Sequence, residues 1–61
     1  MRRIAQKVGE EAVEVALAAV SQDEEALVGE AADLVYHLLV LLRARGLGLT
    51  DLEQVLKARG G

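Results

Sequence analysis

The chain of 61 residues contains no cysteine, and this absence excludes several ways of stabilising or using a small protein. No disulfide can link its segments, and neither a Cys-ligated zinc site nor thiolate catalysis is available. A chain of this length buries only about 60% of its unfolded surface and is marginally stable alone. Because 52% of the residues are nevertheless hydrophobic, we expect one domain over residues 1–61 that forms a homo-oligomer, with a dimer as the simplest form.

Basic charge and long apolar runs are also scarce. The net charge of −3 argues against nonspecific nucleic-acid binding, which needs a basic face. The longest apolar run, LLVLL at 38–42, is far shorter than the roughly 20 residues of a membrane span. Gln6 and Lys7 interrupt any signal-peptide core near the start of the sequence. We therefore expect a cytoplasmic protein that binds neither nucleic acid nor a membrane.

Proline is absent as well, and the apolar spacing together with abundant alanine favours helices over the strands that the valines alone would suggest. Three helices are predicted, over about 2–20, 22–45 and 50–59. Two Ser/Thr-x-x-Glu capping boxes and one glycine mark the boundaries: Ser21 with Glu24, Thr50 with Glu53, and Gly46 after the second helix.

A short turn between the two long helices makes them antiparallel neighbours. The predicted fold class is therefore all-α: an antiparallel helical hairpin plus a short C-terminal helix. We expect oligomerisation to complete a four-helix-type bundle.

The first helix carries carboxylates beside an apolar stripe, although burying an unpaired carboxylate costs several kcal/mol. Helical spacing places Glu11 and Glu14, at i and i+3, on one face at the border of the predicted core. Glu10 points further round. The predicted apolar stripe consists of Ile4, Val8, Ala12, Val15 and Ala19.

The second helix repeats this arrangement. Glu30 and Asp33 are again at i and i+3 on the border of an apolar face, and His37 projects between them one turn further on. The helix is apolar around most of its circumference, so we expect it to be buried. Its apolar residues are Leu27, Leu34, Leu38, Leu41 and Leu42, extended by Val28, Val35 and Leu39.

In an antiparallel hairpin the two acidic pairs face each other, and four converging carboxylates repel strongly unless cations neutralise them. Hard oxygen ligands select Mg²⁺ or Mn²⁺, so the spacing indicates a metal site that could bind phosphate. Purely structural interpretations of these residues stay open. Each pair could be a solvated face, His37 could be a hydrogen-bonded border residue, and Lys7 could simply pair with Glu11 at i+4.

The segments QKVGEEAVEVALAA and EAADLVYHLLVLLRARGL resemble the phosphoribosyl-ATP pyrophosphohydrolase family of histidine biosynthesis, a branch of the all-α, MazG-like nucleoside triphosphate pyrophosphatases. The superfamily signature is Glu-Glu-x-x-Glu followed by Glu-x-x-Asp. Here it is matched by Glu10-Glu11-Ala12-Val13-Glu14 and Glu30-Ala31-Ala32-Asp33. The flanking KVGEEA, EAADL and YHLLVLL point to the histidine-pathway branch, and the resemblance covers about residues 4 to 59.

This resemblance implies Mg²⁺-dependent hydrolysis of phosphoribosyl-ATP to phosphoribosyl-AMP and pyrophosphate, the second step of histidine biosynthesis. It further implies that Glu11, Glu14, Glu30 and Asp33 are the catalytic metal ligands, and that Lys7, Glu10 and His37 are candidate nucleotide-binding residues. Family members carry a further N-terminal helix that this chain does not show, and we expect a second chain to cover the apolar surface it would leave. Alternative functions are a MazG-like pyrophosphatase for another nucleoside triphosphate and a catalytically silent oligomerisation module.

Overall fold

The computed structural model of the chain describes residues 1–21 and 23–60 and consists of three helices. They are α1 (Arg2–Ser21), α2 (Glu24–Ala44) and α3 (Leu49–Ala58). The predicted all-α class is thereby confirmed, and the helix boundaries lie within two residues of those expected. In the part of the chain described, none of the helices combines the length and the apolar character needed to cross a membrane.

The turn between α1 and α2 is capped differently from the prediction. Ser21 is the last residue of α1, and its hydroxyl donates to the carbonyl oxygen of Ala18 at 2.8 Å. Asp23 is the N-cap of α2, because its Oδ1 accepts the Ala26 N–H at 3.2 Å. The predicted Ser21–Glu24 capping box is therefore wrong, and Gln22, the expected start of the second helix, lies outside the described residues.

The end of α2 is the predicted glycine stop. Gly46 has φ +76°, which a residue without Cβ adopts at little cost. The Gly46 N–H donates to the carbonyl of Arg43 at 3.0 Å, and the Leu47 N–H donates to that of Leu42 at 2.8 Å. This pair of bonds is a Schellman motif, which satisfies carbonyl groups that the last helical turn leaves without partners.

The start of α3 also differs from the prediction. Gly48 is the N-cap, and its N–H donates to Oδ2 of Asp51 at 2.9 Å. Thr50 lies inside the helix, so the predicted Thr50–Glu53 capping box is wrong. An acidic residue in the first turn also suits the positive end of the helix dipole.

α1 and α2 pack against each other as the antiparallel hairpin that was expected. The α1 residues that lose the most solvent contact are spaced at i, i+4, i+7, i+11 and i+14, which is the seam of two closely packed helices. The predicted stripe is therefore corrected at two positions, because Ala12 and Ala19 are exposed. The observed seam consists of Ile4, Val8, Glu11, Val15 and Ala18.

Burial within the chain is shallow. Among the described residues Glu11 is buried, whereas every apolar side chain keeps some contact with solvent. The expectation that α2 is buried is not met in a single chain, since Val28 and Val35 are 68% and 53% exposed. α3 makes few contacts with the hairpin. The chain measures 34 × 31 × 14 Å, so it is less than half as thick as it is long or wide.

Candidate divalent-cation site

The centre of the candidate site is a hydrogen bond across the helix seam. Nδ1 of His37 on α2 lies 2.6 Å from Oε1 of Glu11 on α1. Only 10% of the Glu11 side chain and 26% of the His37 side chain are exposed. Burial of a carboxylate is tolerated when it is paired, and His37 supplies that partner. The interpretation of His37 as a hydrogen-bonded residue is confirmed, whereas the alternative Lys7–Glu11 ion pair does not form.

The other three acids of the predicted cluster are close enough to influence one another. The pKa of Glu30 is raised above its ordinary value, chiefly because the charge of Glu14 lies nearby and then because Glu30 is half-buried. Asp33 and Glu11 add smaller effects in the same direction. The largest charge effect on Glu30 thus comes from Glu14, an acid on the opposite helix.

The remaining predicted site residues lie on the solvent side. Glu10 is exposed and accepts a hydrogen bond from Nε2 of Gln6 at 3.2 Å. Lys7 is exposed, and among residues 1–21 and 23–60 it forms no ion pair with an acidic side chain. Both residues precede Glu11 on α1, so either could contact a ligand that approached the acidic cluster from solvent.

The donor set fits a hard divalent cation in its chemistry. All four predicted ligands are carboxylates, and a cation would offset the repulsion that raises the Glu30 pKa. Within the described residues, however, no three Asp, Glu or His side chains stand in positions that could hold a metal ion together. Binding would therefore require carboxylates to move from these positions, and Glu14 and Asp33 are exposed. The four-ligand set stays a prediction.

These observations define a class of protein: all-helical hairpins that carry acidic side chains from both helices beside the seam. The family model described as Phosphoribosyl-ATP pyrophosphohydrolase matches residues 1–60. The chain therefore belongs to the phosphoribosyl-ATP pyrophosphohydrolase family, as the sequence resemblance indicated.

Similar proteins agree with this membership. The chain is 70% identical over 59 residues to the histidine biosynthesis bifunctional protein HisIE of Xanthomonas axonopodis, covering 97% of this chain and 29% of the relative. It is 62% identical over 58 residues to the HisIE protein of Vibrio cholerae, covering 95% of this chain and 28% of the relative. It is 59% identical over 59 residues to the phosphoribosyl-ATP pyrophosphatase of Pyrobaculum calidifontis, covering 97% of this chain and 63% of that protein. The chain thus spans less than a third of the HisIE relatives.

Proposed function

We propose that the chain hydrolyses phosphoribosyl-ATP to phosphoribosyl-AMP and pyrophosphate, the second step of histidine biosynthesis. Family membership over residues 1–60 supports the choice of substrate. The single structural observation that carries the proposal is that His37 Nδ1 lies 2.6 Å from Oε1 of Glu11 and 3.1 Å from the carbonyl oxygen of Asp33, which brings the acid-bearing turns of α1 and α2 to one level of the seam. The proposal includes Mg²⁺ as cofactor, with Mn²⁺ as a substitute, and a cytoplasmic location as expected for amino-acid biosynthesis.

The proposed ligands are Glu11, Glu14, Glu30 and Asp33. A divalent cation bound by them would lower the pKa of a water molecule and offset the negative charge of the phosphates. Glu11 is held by His37, whereas Glu14 and Asp33 lie at the surface, where they can reorient toward a ligand. The exposed ammonium of Lys7 is proposed to contact phosphate, and the exposed carboxylate of Glu10 to orient the nucleotide or water.

The test is pyrophosphate release by the purified chain in the presence of millimolar Mg²⁺. We expect release from phosphoribosyl-ATP and loss of most of it in Glu30→Gln. Glu53→Gln, which removes an exposed acid on α3 away from the cluster, is the matched control and should retain full activity. Equal or faster release from ordinary nucleoside triphosphates would favour the general MazG-like alternative. Absence of release from every nucleotide would favour the silent oligomerisation module.

We also propose that a second copy of the chain covers one face of this flat arrangement of helices. A monomer of 6.5 kDa is expected to expose about 3,800 Å², whereas this chain exposes 4946 Å². The excess of roughly 1,100 Å² is comparable to the area of about 800 Å² that each partner contributes to a standard protein interface. Domains normally bury apolar faces between two packed layers, whereas this chain is only 14 Å thick.

The outer side of α1 is a specific candidate for this contact. Val13, Leu17 and Val20 follow at i, i+4 and i+7, opposite the seam with α2, and are 59%, 62% and 77% exposed. We expect Leu17→Glu to shift the mass measured by sedimentation equilibrium toward the monomer, and Glu24→Gln, an exposed change in the first turn of α2, to leave it unchanged. A monomeric parent chain at every concentration would rule out the second copy.

A further inference from the structure

The imidazole of His37 touches two of the predicted acidic residues at once. Its Nδ1 lies 2.6 Å from Oε1 of Glu11 and 3.1 Å from the backbone carbonyl oxygen of Asp33. Both partners are hydrogen-bond acceptors, so Nδ1 must carry a hydrogen atom to bond with either. The surroundings of His37 therefore select the tautomer in which Nδ1–H donates to both oxygens.

This shared hydrogen bond fixes one oxygen of Glu11 and leaves the other, Oε2, without a hydrogen-bond partner among the described residues. Among the described residues no side-chain oxygen is both buried and without a hydrogen-bond partner, and no bond to Oε2 of Glu11 occurs. Oε2 therefore keeps contact with solvent although Glu11 as a whole is only 8% exposed. Because the same Nδ1–H reaches the Asp33 carbonyl, the Glu11 carboxylate is held level with the turn of α2 that carries Asp33.

A second contact restricts the imidazole ring itself. The Tyr36 ring meets the His37 ring edge to face, with centroids 5.0 Å apart and planes at 81°. Edge-to-face pairs are favourable, so Tyr36 opposes rotation of the imidazole away from Glu11. The ring that donates to Glu11 is thus oriented by its own neighbours.

We propose that His37 is a positioning residue that directs the Glu11 carboxylate toward the cation, rather than a residue that contacts the substrate. The inference rests on the proposed function, because it requires that Glu11 be a ligand. Hydrogen-bond partners of metal ligands fix ligand orientation, and their removal commonly weakens metal affinity by about 10- to 100-fold.

The test compares substitutions that place a donor at different points. His37→Asn retains an N–H near the position of Nδ1, His37→Gln moves the donor toward the position of Nε2, and His37→Leu removes it. We measure Mn²⁺ binding to the full chain by electron paramagnetic resonance. The Asn variant should bind within about threefold of the parent, and the Gln and Leu variants about 10- to 100-fold more weakly. Circular dichroism at the same temperature establishes that each compared variant is folded, and the Asn–Gln contrast suffices if the Leu variant does not fold.

Equal Mn²⁺ affinity in the parent and all three variants would overturn the positioning role while leaving the cation site intact. Failure of the parent to bind Mn²⁺ would overturn the cation site itself, and the positioning role with it. A ¹⁵N nuclear magnetic resonance spectrum of the metal-free chain provides an independent measurement. We expect the proton on Nδ1 of His37, and a neutral ring protonated only at Nε2 would contradict the proposal.

Discussion

The buried Glu11–His37 pair makes a prediction about stability that is opposite for single and double substitutions. His37→Leu removes the 2.6 Å hydrogen bond from the carboxylate of Glu11, whose side chain is only 10% exposed. Removing one partner of a buried ion pair costs about 3–5 kcal/mol, and a hydrogen bond to a charged group contributes about 1.5–3 kcal/mol. Because 26% of the His37 side chain reaches solvent, water can replace part of the bond, and we expect a loss of about 2 kcal/mol.

The double variant Glu11→Leu/His37→Leu should behave differently. Glu11 occupies a seam position between Val8 and Val15, so leucine there extends the apolar contact of α1 with α2. Replacement of both members of a buried pair by apolar residues is often neutral or stabilising by about 1–4 kcal/mol. We therefore expect the double variant to be at least as stable as the parent. The coupling free energy between the two positions should be about 2 kcal/mol or more.

Thermal unfolding followed by circular dichroism at one protein concentration measures this coupling. For a chain of this size a loss of 2 kcal/mol lowers the melting temperature by roughly 8 to 16 °C. His37→Leu should show that shift, and the double variant should reverse it. The reasoning is refuted if His37→Leu has the same melting temperature as the parent. It is also refuted if the stability changes of Glu11→Leu and His37→Leu sum to that of the double variant within about 0.5 kcal/mol, since independent sites behave that way.

Four further predictions concern the acidic cluster and the glycine and cap positions of the helices. At pH 7 without divalent cations, Glu30→Gln should raise the melting temperature, because it removes a carboxylate that Glu14, Asp33 and Glu11 repel. Millimolar Mg²⁺ should raise the melting temperature of the parent more than that of this variant. The folded-state pKa of Glu30 is raised, so protonation of Glu30 favours the folded state. In the metal-free chain this stabilising contribution should be fully present below the unfolded-state pKa and should be lost as pH rises through the folded-state pKa. Thermal melts across acidic pH measure it, and a melting-temperature difference between the parent and Glu30→Gln that is the same at every pH would contradict it. Asp23→Ala removes the N-cap of α2 and should lower the free energy of unfolding in urea by about 1 kcal/mol, whereas Ser21→Ala should lower it less. Equal losses in the two variants would indicate that Ser21 caps the helix as well. Gly46→Ala should lower the free energy of unfolding by about 1 kcal/mol, because residue 46 has a φ of +76°. Gly29→Ala should not lower it, because Gly29 lies in a helix with open space where a Cβ would be added. A destabilised Gly29→Ala would show that something packs against α2 at that position.

The helices themselves could be predicted from the sequence because their signals are local. Alanine content, apolar spacing and the glycine at position 46 depend on neighbours along the chain, and they gave the hairpin and its end. The caps were harder to predict. Ser21 and Asp23 are both good capping residues two positions apart, and local sequence cannot decide which one the backbone uses.

The seam could be predicted only in part, for a physical reason. Ala12 and Glu11 are about 100° apart around the helix and flank the line through Ile4, Val8 and Val15, so a shift of the stripe by about 40° exchanges one for the other. Without knowledge of a partner, burial of alanine is the expected choice, since an unpaired carboxylate is costly to bury. The partner that reverses this choice, His37, lies 26 residues away on another helix. The i, i+4, i+7, i+11, i+14 spacing from Ile4 to Ala18 was the signal that could have identified Glu11 as a seam residue.

The proximity of Glu14 and Glu30 could be predicted from helix spacing and the short turn, because the charge of Glu14 is the largest cause of the raised Glu30 pKa. The rotamers that would close a metal site could not. Exposed carboxylate side chains have several staggered conformations, and a bound cation selects among them. The contacts with a second copy of the chain could not be predicted either, because they depend on how two exposed surfaces fit together.

The central claim is that carboxylates from α1 and α2 share a divalent cation. Anomalous diffraction from a crystal grown with Mn²⁺ tests it most directly. We expect an anomalous peak between the helices, about 2.0–2.3 Å from oxygen atoms of at least one acid of each pair, Glu11 or Glu14 and Glu30 or Asp33. A map with no peak there, and with the four carboxylates turned apart into solvent, would contradict the account.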